Sequence, residues 1–190
     1  MQQPERKIFL KEFTAISHAI STYSDINLLN DHLVEMMCKS FNVKGSSIFL
    51  YDDREKQLFC VSSYGLSESY LSKGPIYVDE RFSEFETGKP VFFSDFREDP
   101  RIQYPEEAIK EGIVSMLSVP IKSHKAVIGL IKIYNHEPWI LNQEDLNSMC
   151  VLAEHLGLVI EYNGLKNFLD QVKVAMESLP LRMLKDINLI

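Results

Sequence analysis

Cysteine is scarce in this 190-residue chain: Cys38, Cys60 and Cys150, all far apart in sequence. Their number is odd and no pair has C-x-x-C spacing, which argues against a disulfide framework or a structural zinc site and for a reducing compartment. Long apolar runs are missing as well. The longest, Ala126 to Ile131, falls far short of the ~20 residues that span a bilayer, and the first residues run into an amphipathic pattern instead of a signal-peptide core. The expectation is a soluble, cytoplasmic protein. Eight glycines and eight prolines are too few for a low-complexity or collagen-like chain. Positive charge is in deficit: 20 Lys and Arg stand against 27 Asp and Glu, for a formal net charge of −7. Neither nucleic acid nor membrane is therefore an expected partner, because both are held by clustered Lys and Arg. The strings HExxH, GxSxG, GxGxxG and the Walker loop do not occur. The histidines, His18, His32, His124, His136 and His155, lack metal-ligand spacing. No metal, no cofactor and no enzymatic activity are expected.

What is present reads as one domain with helical extensions. Phe9, Phe13, Ile16, Ile20 and Tyr23 alternate at spacings of four and three, which predicts a helix from about Glu5 to Thr22. Ser24 and Asp25 offer an N-cap oxygen to a second helix carrying Ile26, Leu29, Leu33, Met36, Met37 and Phe41. The period then becomes two. Ser46 to Asp52 and Lys56 to Tyr64 form a predicted hairpin, with Ser47, Phe49 and Tyr51 on one face of the first strand and Ile48 and Leu50 on the other. From Leu66 to Gly112 the chain is irregular. Asp79 is a candidate cap for a short helix closed by Gly88, and Val91 to Ser94 reads as a strand. Asp99-Pro100 and Tyr104-Pro105 each fit a helix start, with Gly112 as the stop. Ser115 to Lys122 and Ala126 to Tyr134 flank a turn. Asn142 caps a long last helix, whose pattern resumes beyond Asn163-Gly164 as Leu165, Phe168, Val172, Ala175 and Leu179, a three-four heptad alternation. The order predicts an α+β fold with a mainly antiparallel sheet, terminal helices on one face and the irregular insert on the other.

The insert gathers Tyr64, Tyr70, Tyr77, Phe82, Phe85, Phe92, Phe93, Phe96 and Tyr104 among polar residues. Aromatic area with a few placed polar groups suits a concave small-molecule site; the same residues equally suit a core under a long connection. The adjacent acids Asp79-Glu80 and Glu106-Glu107 do not face one another and read as helix-start charges, not as an acid–base pair. The three thiols read as buried and structural, with redox sensing as the alternative.

Several strings, taken in order, resemble the GAF domain family. They are Gly45 to Asp52 with Leu58 to Leu66; Gly88 to Val91 with Ser94-Asp95 and Asp99-Pro100-Arg101; Glu111 to Ile113 with Ser115 to Ile121 and Ile128 to Ile131; and Trp139 to Leu146. The resemblance covers roughly residues 8–165. It implies a GAF-like central antiparallel sheet of about six strands and a pocket under the insert. It also implies a regulatory module of signalling proteins, bacterial ones included, that binds a small molecule and acts on an output domain or partner protein. Ligand contacts of cyclic-nucleotide-binding members fall at positions matching Ser47, Phe49, Ser63, Tyr64, Phe82, Ser83, Gln103, Tyr104, Glu107 and Lys132. The Asn-Lys pair and the Phe and Asp-Glu that follow it in those members are here replaced by Asn135-His136, Ile140-Leu141 and Glu144-Asp145. Lys132 stands where they often place an acid, which speaks against cyclic GMP or AMP. The cysteines match neither a bilin attachment site nor the active site of relatives that reduce free methionine sulfoxide.

The reading that follows is a non-enzymatic sensor, residues 5–165, with a helical extension or linker at 166–190. Its ligand is an unidentified small molecule, and its signal leaves through the terminal helices. An enzyme acting on a small metabolite and an empty-pocket dimerisation module are the alternatives. The heptad predicts a homodimer through Phe9, Phe13, Ile16, Leu165, Phe168 and Val172; packing of that stripe on its own sheet is the other possibility.

Overall fold

The computed structural model describes residues 6, 8–23, 25–95 and 99–177. Ser24, Phe96, Leu179 and the tail from Leu181 to Ile190 lie outside the described residues. Six helices and six strands follow in order: α1 Leu10–Thr22, α2 Ile26–Phe41, β1 Gly45–Asp52, β2 Gln57–Tyr64, α3 Glu68–Leu71, β3 Ile76–Tyr77, α4 Ser83–Thr87, β4 Val91–Phe93, α5 Pro105–Lys110, β5 Ser115–Ser123, β6 Ala126–Asn135 and α6 Gln143–Glu177. The strands form one antiparallel sheet in the order β3-β2-β1-β6-β5-β4. This is the α+β, GAF-like architecture that the resemblance implied. Among the described residues, no helix is long and apolar enough to cross a membrane.

Strand alternation builds two different layers on the two faces. Ile48, Leu117, Val119, Ile121, Ile131 and Ile133 face α1, α2 and α6 and share one core with Ile16, Leu33, Phe41 and Leu156. Trp139 joins this layer with its indole edge-on to Phe41 and Phe92, at centroid distances of 5.4 and 5.9 Å. The opposite face meets the insert through two smaller clusters, one around Phe93, Met116 and Tyr134 and the other around Phe49, Leu58 and Leu130.

Local chemistry explains where prediction and structure part. Helix α1 starts at Leu10 instead of near Glu5, because Ile8 is buried in the core and its N–H donates to Asp145 Oδ1 at 2.8 Å, holding that segment out of the helix. Asp25 caps α2 as expected, accepting from Asn27 and Leu28 N–H. Asp79 caps no helix: its carboxylate accepts from the Arg81 N–H and guanidinium, and α4 begins only at Ser83. Asp99-Pro100 likewise opens only a turn, since Asp99 takes the Arg101 N–H and guanidinium. The Tyr104-Pro105 start is real and begins α5. Helix α6 runs unbroken through Asn163-Gly164. At Gly157 it passes so close to β5 that a Cβ there would stand 1.9 Å from the Lys122 carbonyl oxygen. Of the three thiols expected to be buried, Cys38 is, Cys150 is half-buried and Cys60 is exposed near the edge of the sheet.

Candidate functional site

On β6 the period of two points Leu130, Lys132 and Tyr134 toward the insert while Ile131 and Ile133 face the helices. Lys132 sits at the middle of the sheet, directly opposite Ser47 on β1 and Ser118 on β5. Over it the insert folds back. Phe82 at the start of α4, Tyr104 at the start of α5, and Tyr70 of α3 close a cavity with Phe93, Met116 and Tyr134 of the sheet. Its volume is about 60 Å³, small beside the roughly 300–1,000 Å³ of sites for larger organic ligands.

Polar groups line it unevenly. Gln103 is turned onto β3, where its Nε2 donates to the Tyr77 carbonyl and its Oε1 accepts the Tyr77 N–H at 3.2 Å. Tyr104 Oη donates to the Pro75 carbonyl at 2.6 Å. These bonds fix the two segments as a wall. Arg81 is clamped by Asp79 and Arg101 by Asp99, the latter guanidinium also lying 4.4 Å over the Phe93 ring. Each clamp holds its aspartate well below the usual carboxylate range. Lys73 donates to the Tyr70 carbonyl at 3.0 Å and lies 3.8 Å over that residue's ring. Lys132 is different. It is 6% exposed, and its ammonium stands between the Phe49 and Phe82 rings at 5.2 and 5.0 Å. It has no ion pair and no hydrogen bond among the described residues. Burial lowers its pKa from the ordinary 10.5 to about 8, with Glu84 opposing that shift. Glu84, 3% exposed, is the carboxylate in the lining. Burial pushes the Tyr70 and Tyr134 phenols up, so both remain protonated donors at neutral pH.

The structure brings Phe82, Gln103, Tyr104 and Lys132 together around this cavity. Phe49 lies beneath the Lys132 ammonium, and Ser47 donates to Tyr134 Oη at 3.2 Å just below the lining. Ser63 pairs with Ser47 on the same face, one strand further out. Ser83 opens α4, where its carbonyl accepts from Thr87, and it does not line the cavity. Glu107 borders a separate open groove with Lys73 and Glu111. Tyr64 is paired with Ser46, whose hydroxyl donates to the Val34 carbonyl of α2, so Tyr64 belongs to the helix-bearing face. Tyr134, Arg81, Glu84, Arg101, Lys73 and Met116 were not singled out from sequence. Tyr134 was within reach, two residues beyond Lys132 on the same strand face. Arg81 and Arg101 share an Asp-x-Arg spacing, which was the available signal for them. Among the proposed interface residues, Phe9, Leu165, Phe168 and Val172 are exposed, Phe13 packs partly on the core, and Ile16 is 1% exposed inside it.

A family model described as GAF domain matches residues 25–160. No curated protein matches the chain. Similar solved structures include the GAF domain of a phosphoenolpyruvate-protein phosphotransferase from Coxiella burnetii, with a TM-score of 0.75 and 19% identity over 83% of this chain and 95% of that one. The corresponding domain from Acinetobacter gives 0.70 and 20%, covering 80% and 92%. Free methionine-R-sulfoxide reductase from Neisseria meningitidis, solved with its substrate, gives 0.65 and 16%, covering 85% and 96%.

Proposed function

The chain belongs to the GAF domain family, and from that premise we propose that it is a non-enzymatic sensor whose cavity between sheet and insert takes a small molecule. The observation that carries this reading is the unequal use of the two sheet faces by the same strands. On β6, Lys132 and Tyr134 meet the cavity while Ile131 and Ile133 pack beneath α6 and its neighbours. A guest that moves the first pair acts on strands whose other face carries the helices. The small volume of the cavity adds a second element: a guest larger than a few atoms must displace Phe82 or Tyr104, so it binds two arrangements of the insert unequally. Unequal affinity is what shifts a population.

An enzymatic role, as in the reductase relative, is poorly served by the cysteines. Cys38 and Cys150 pack with the helix-bearing layer and Cys60 lies on the other face, so no two thiols share the cavity. The output runs through α6, whose exposed Leu158, Tyr162, Leu165, Leu169 and Val172 recur at spacings of four and three. Such a stripe pairs with a second copy in a parallel coiled coil. The test is a thermal-shift screen of the full chain against a metabolite library, with each hit recovered and analysed. A hit returned unchanged supports the sensor, a hit consumed with turnover makes the protein an enzyme, and no hit at all leaves a dimerisation module with a filled cavity.

A further inference from the structure

We propose that the guest of this cavity is a small organic carboxylate, its anionic group held by the Lys132 ammonium and its apolar body by the surrounding rings. The inference rests on the sensor reading and narrows it to one chemical class.

An ammonium taken out of water needs a counter-charge and acceptors for its three N–H donors. Lys132 has the faces of Phe49 and Phe82 and, among the described residues, no acceptor. Ring faces attract a cation but accept no conventional hydrogen bond. The charges around the cavity are also paired unequally. Lys73, Arg81, Arg101 and Lys132 line it; Glu84 lines it too, and Asp79 and Asp99 clamp the two arginines. Glu84 is the carboxylate that acts on Lys132, and it acts on Arg101 as well, but among the described residues it accepts a hydrogen bond from neither. Glu107 and Glu111 act on Lys73 from the outer side, and Glu111 is itself paired with Lys44. The Lys132 ammonium thus has a carboxylate near it but, among the described residues, no acceptor bonded to it. Beneath the lining, directly opposite Lys132 on β5, the buried Ser118 hydroxyl has no hydrogen-bond partner among the described residues.

A single ammonium with no bonded acceptor, facing the cavity, matches a monoanion. A phosphate dianion would need a second free cation, and both guanidiniums are already clamped. The rings of Phe82, Phe93 and Tyr104 and the side chain of Met116 suit an apolar body. Glu84 competes with the guest for the same ammonium, and removing its charge strengthens the anion site.

The experiment is calorimetry on the full chain at pH 7 with butyrate, hexanoate, benzoate and phenylacetate, each beside its primary amide, and with inorganic phosphate. The expected result is that at least one acid binds ten-fold or more tighter than its amide. Lys132→Met abolishes that preference and Glu84→Gln tightens the acid three-fold or more. If Lys132→Met fails to fold, the Lys132 Nζ resonance of the unmutated chain gives the answer by shifting with the acid and not with the amide. Equal binding of acid and amide, an acid preference that survives Lys132→Met, phosphate binding tighter than every acid, or no acid binding would each overturn the inference. A neutral metabolite that still binds unchanged in the library screen would then leave the sensor reading standing alone.

Discussion

Replacing Lys132 with methionine should make the unliganded protein more stable, not less. The ammonium is buried with rings for neighbours, and its pKa falls from 10.5 to about 8. At 1.36 kcal/mol per pH unit, that difference means the charged lysine costs the fold about 3 kcal/mol. Below pH 8 both folded and unfolded chains hold the proton and the full penalty applies. Between pH 8 and 10.5 the unfolded chain holds a proton that the folded chain has released, so stability rises with pH. Above 10.5 both are neutral and the penalty is gone. The titratable groups that act on the ammonium are Glu84 from α4, Lys73 and Cys60. Methionine conserves the apolar stem but leaves Glu84 without the ammonium's field, which lowers the net gain to about 1–3 kcal/mol at pH 7. At roughly 2–4 °C per kcal/mol for a chain of this size, the melting temperature should rise by about 3–10 °C. The difference between variant and parent should shrink toward zero by pH 10.5. Denaturant unfolding of both proteins at pH 7, 9 and 10.5 reads this directly. A variant that is less stable at pH 7, or a difference that does not change with pH, refutes the picture of a buried charge whose desolvation outweighs the pull of Glu84.

Three further outcomes follow from the packing. Gly157→Ala should destabilise by about 1–3 kcal/mol, overpacking outweighing the ~1 kcal/mol by which alanine favours a helix, because its Cβ would strike the Lys122 carbonyl; denaturation followed by the fluorescence of Trp139, the one tryptophan, measures it. Glu111→Gln should cost about 1–2 kcal/mol, since this carboxylate joins Ser67 to Lys44 across the insert. Burial alone would raise the Glu111 pKa, but the Ser67 and Lys44 bonds hold it below 4.5, so its contribution is complete above pH 4.5, fades as pH falls through the folded value, and should vanish from the acid unfolding curve of the variant. Leu165→Glu together with Leu169→Glu should convert the proposed dimer to monomer in sedimentation at micromolar concentration without lowering the melting temperature of the domain; an unchanged sedimentation coefficient removes the α6 interface.

The parts of the fold that were legible in the sequence are those whose signals are local. Alternation at Ser47, Phe49 and Tyr51 gave the face of β1, Asp25 gave the α2 start and Gly88 the α4 stop. Aspartate misled where it had two possible claims. Asp79 and Asp99 had cap spacing, yet each has an arginine two residues on, and a charge-assisted fork is stronger than a cap. The Asn163-Gly164 pair suggested an interruption that α6 ignores. At the candidate site, Lys132 was named from a resemblance, but its character was not visible. The lack of a bonded acceptor among the described residues, the rings on either side and the approach of Glu84 depend on how the insert folds over the sheet. That chain path is set by long-range contacts such as Tyr104 to Pro75 and Gln103 to Tyr77, which no local spacing encodes.

The most direct measurement is a crystal structure of the full chain with a hit from the metabolite screen. It should show the compound between the sheet and the insert, touching Phe82 and Tyr104 with its acidic group on the Lys132 nitrogen. A compound seated on the helix-bearing side, or on the α6 stripe with the cavity unchanged, would contradict the account.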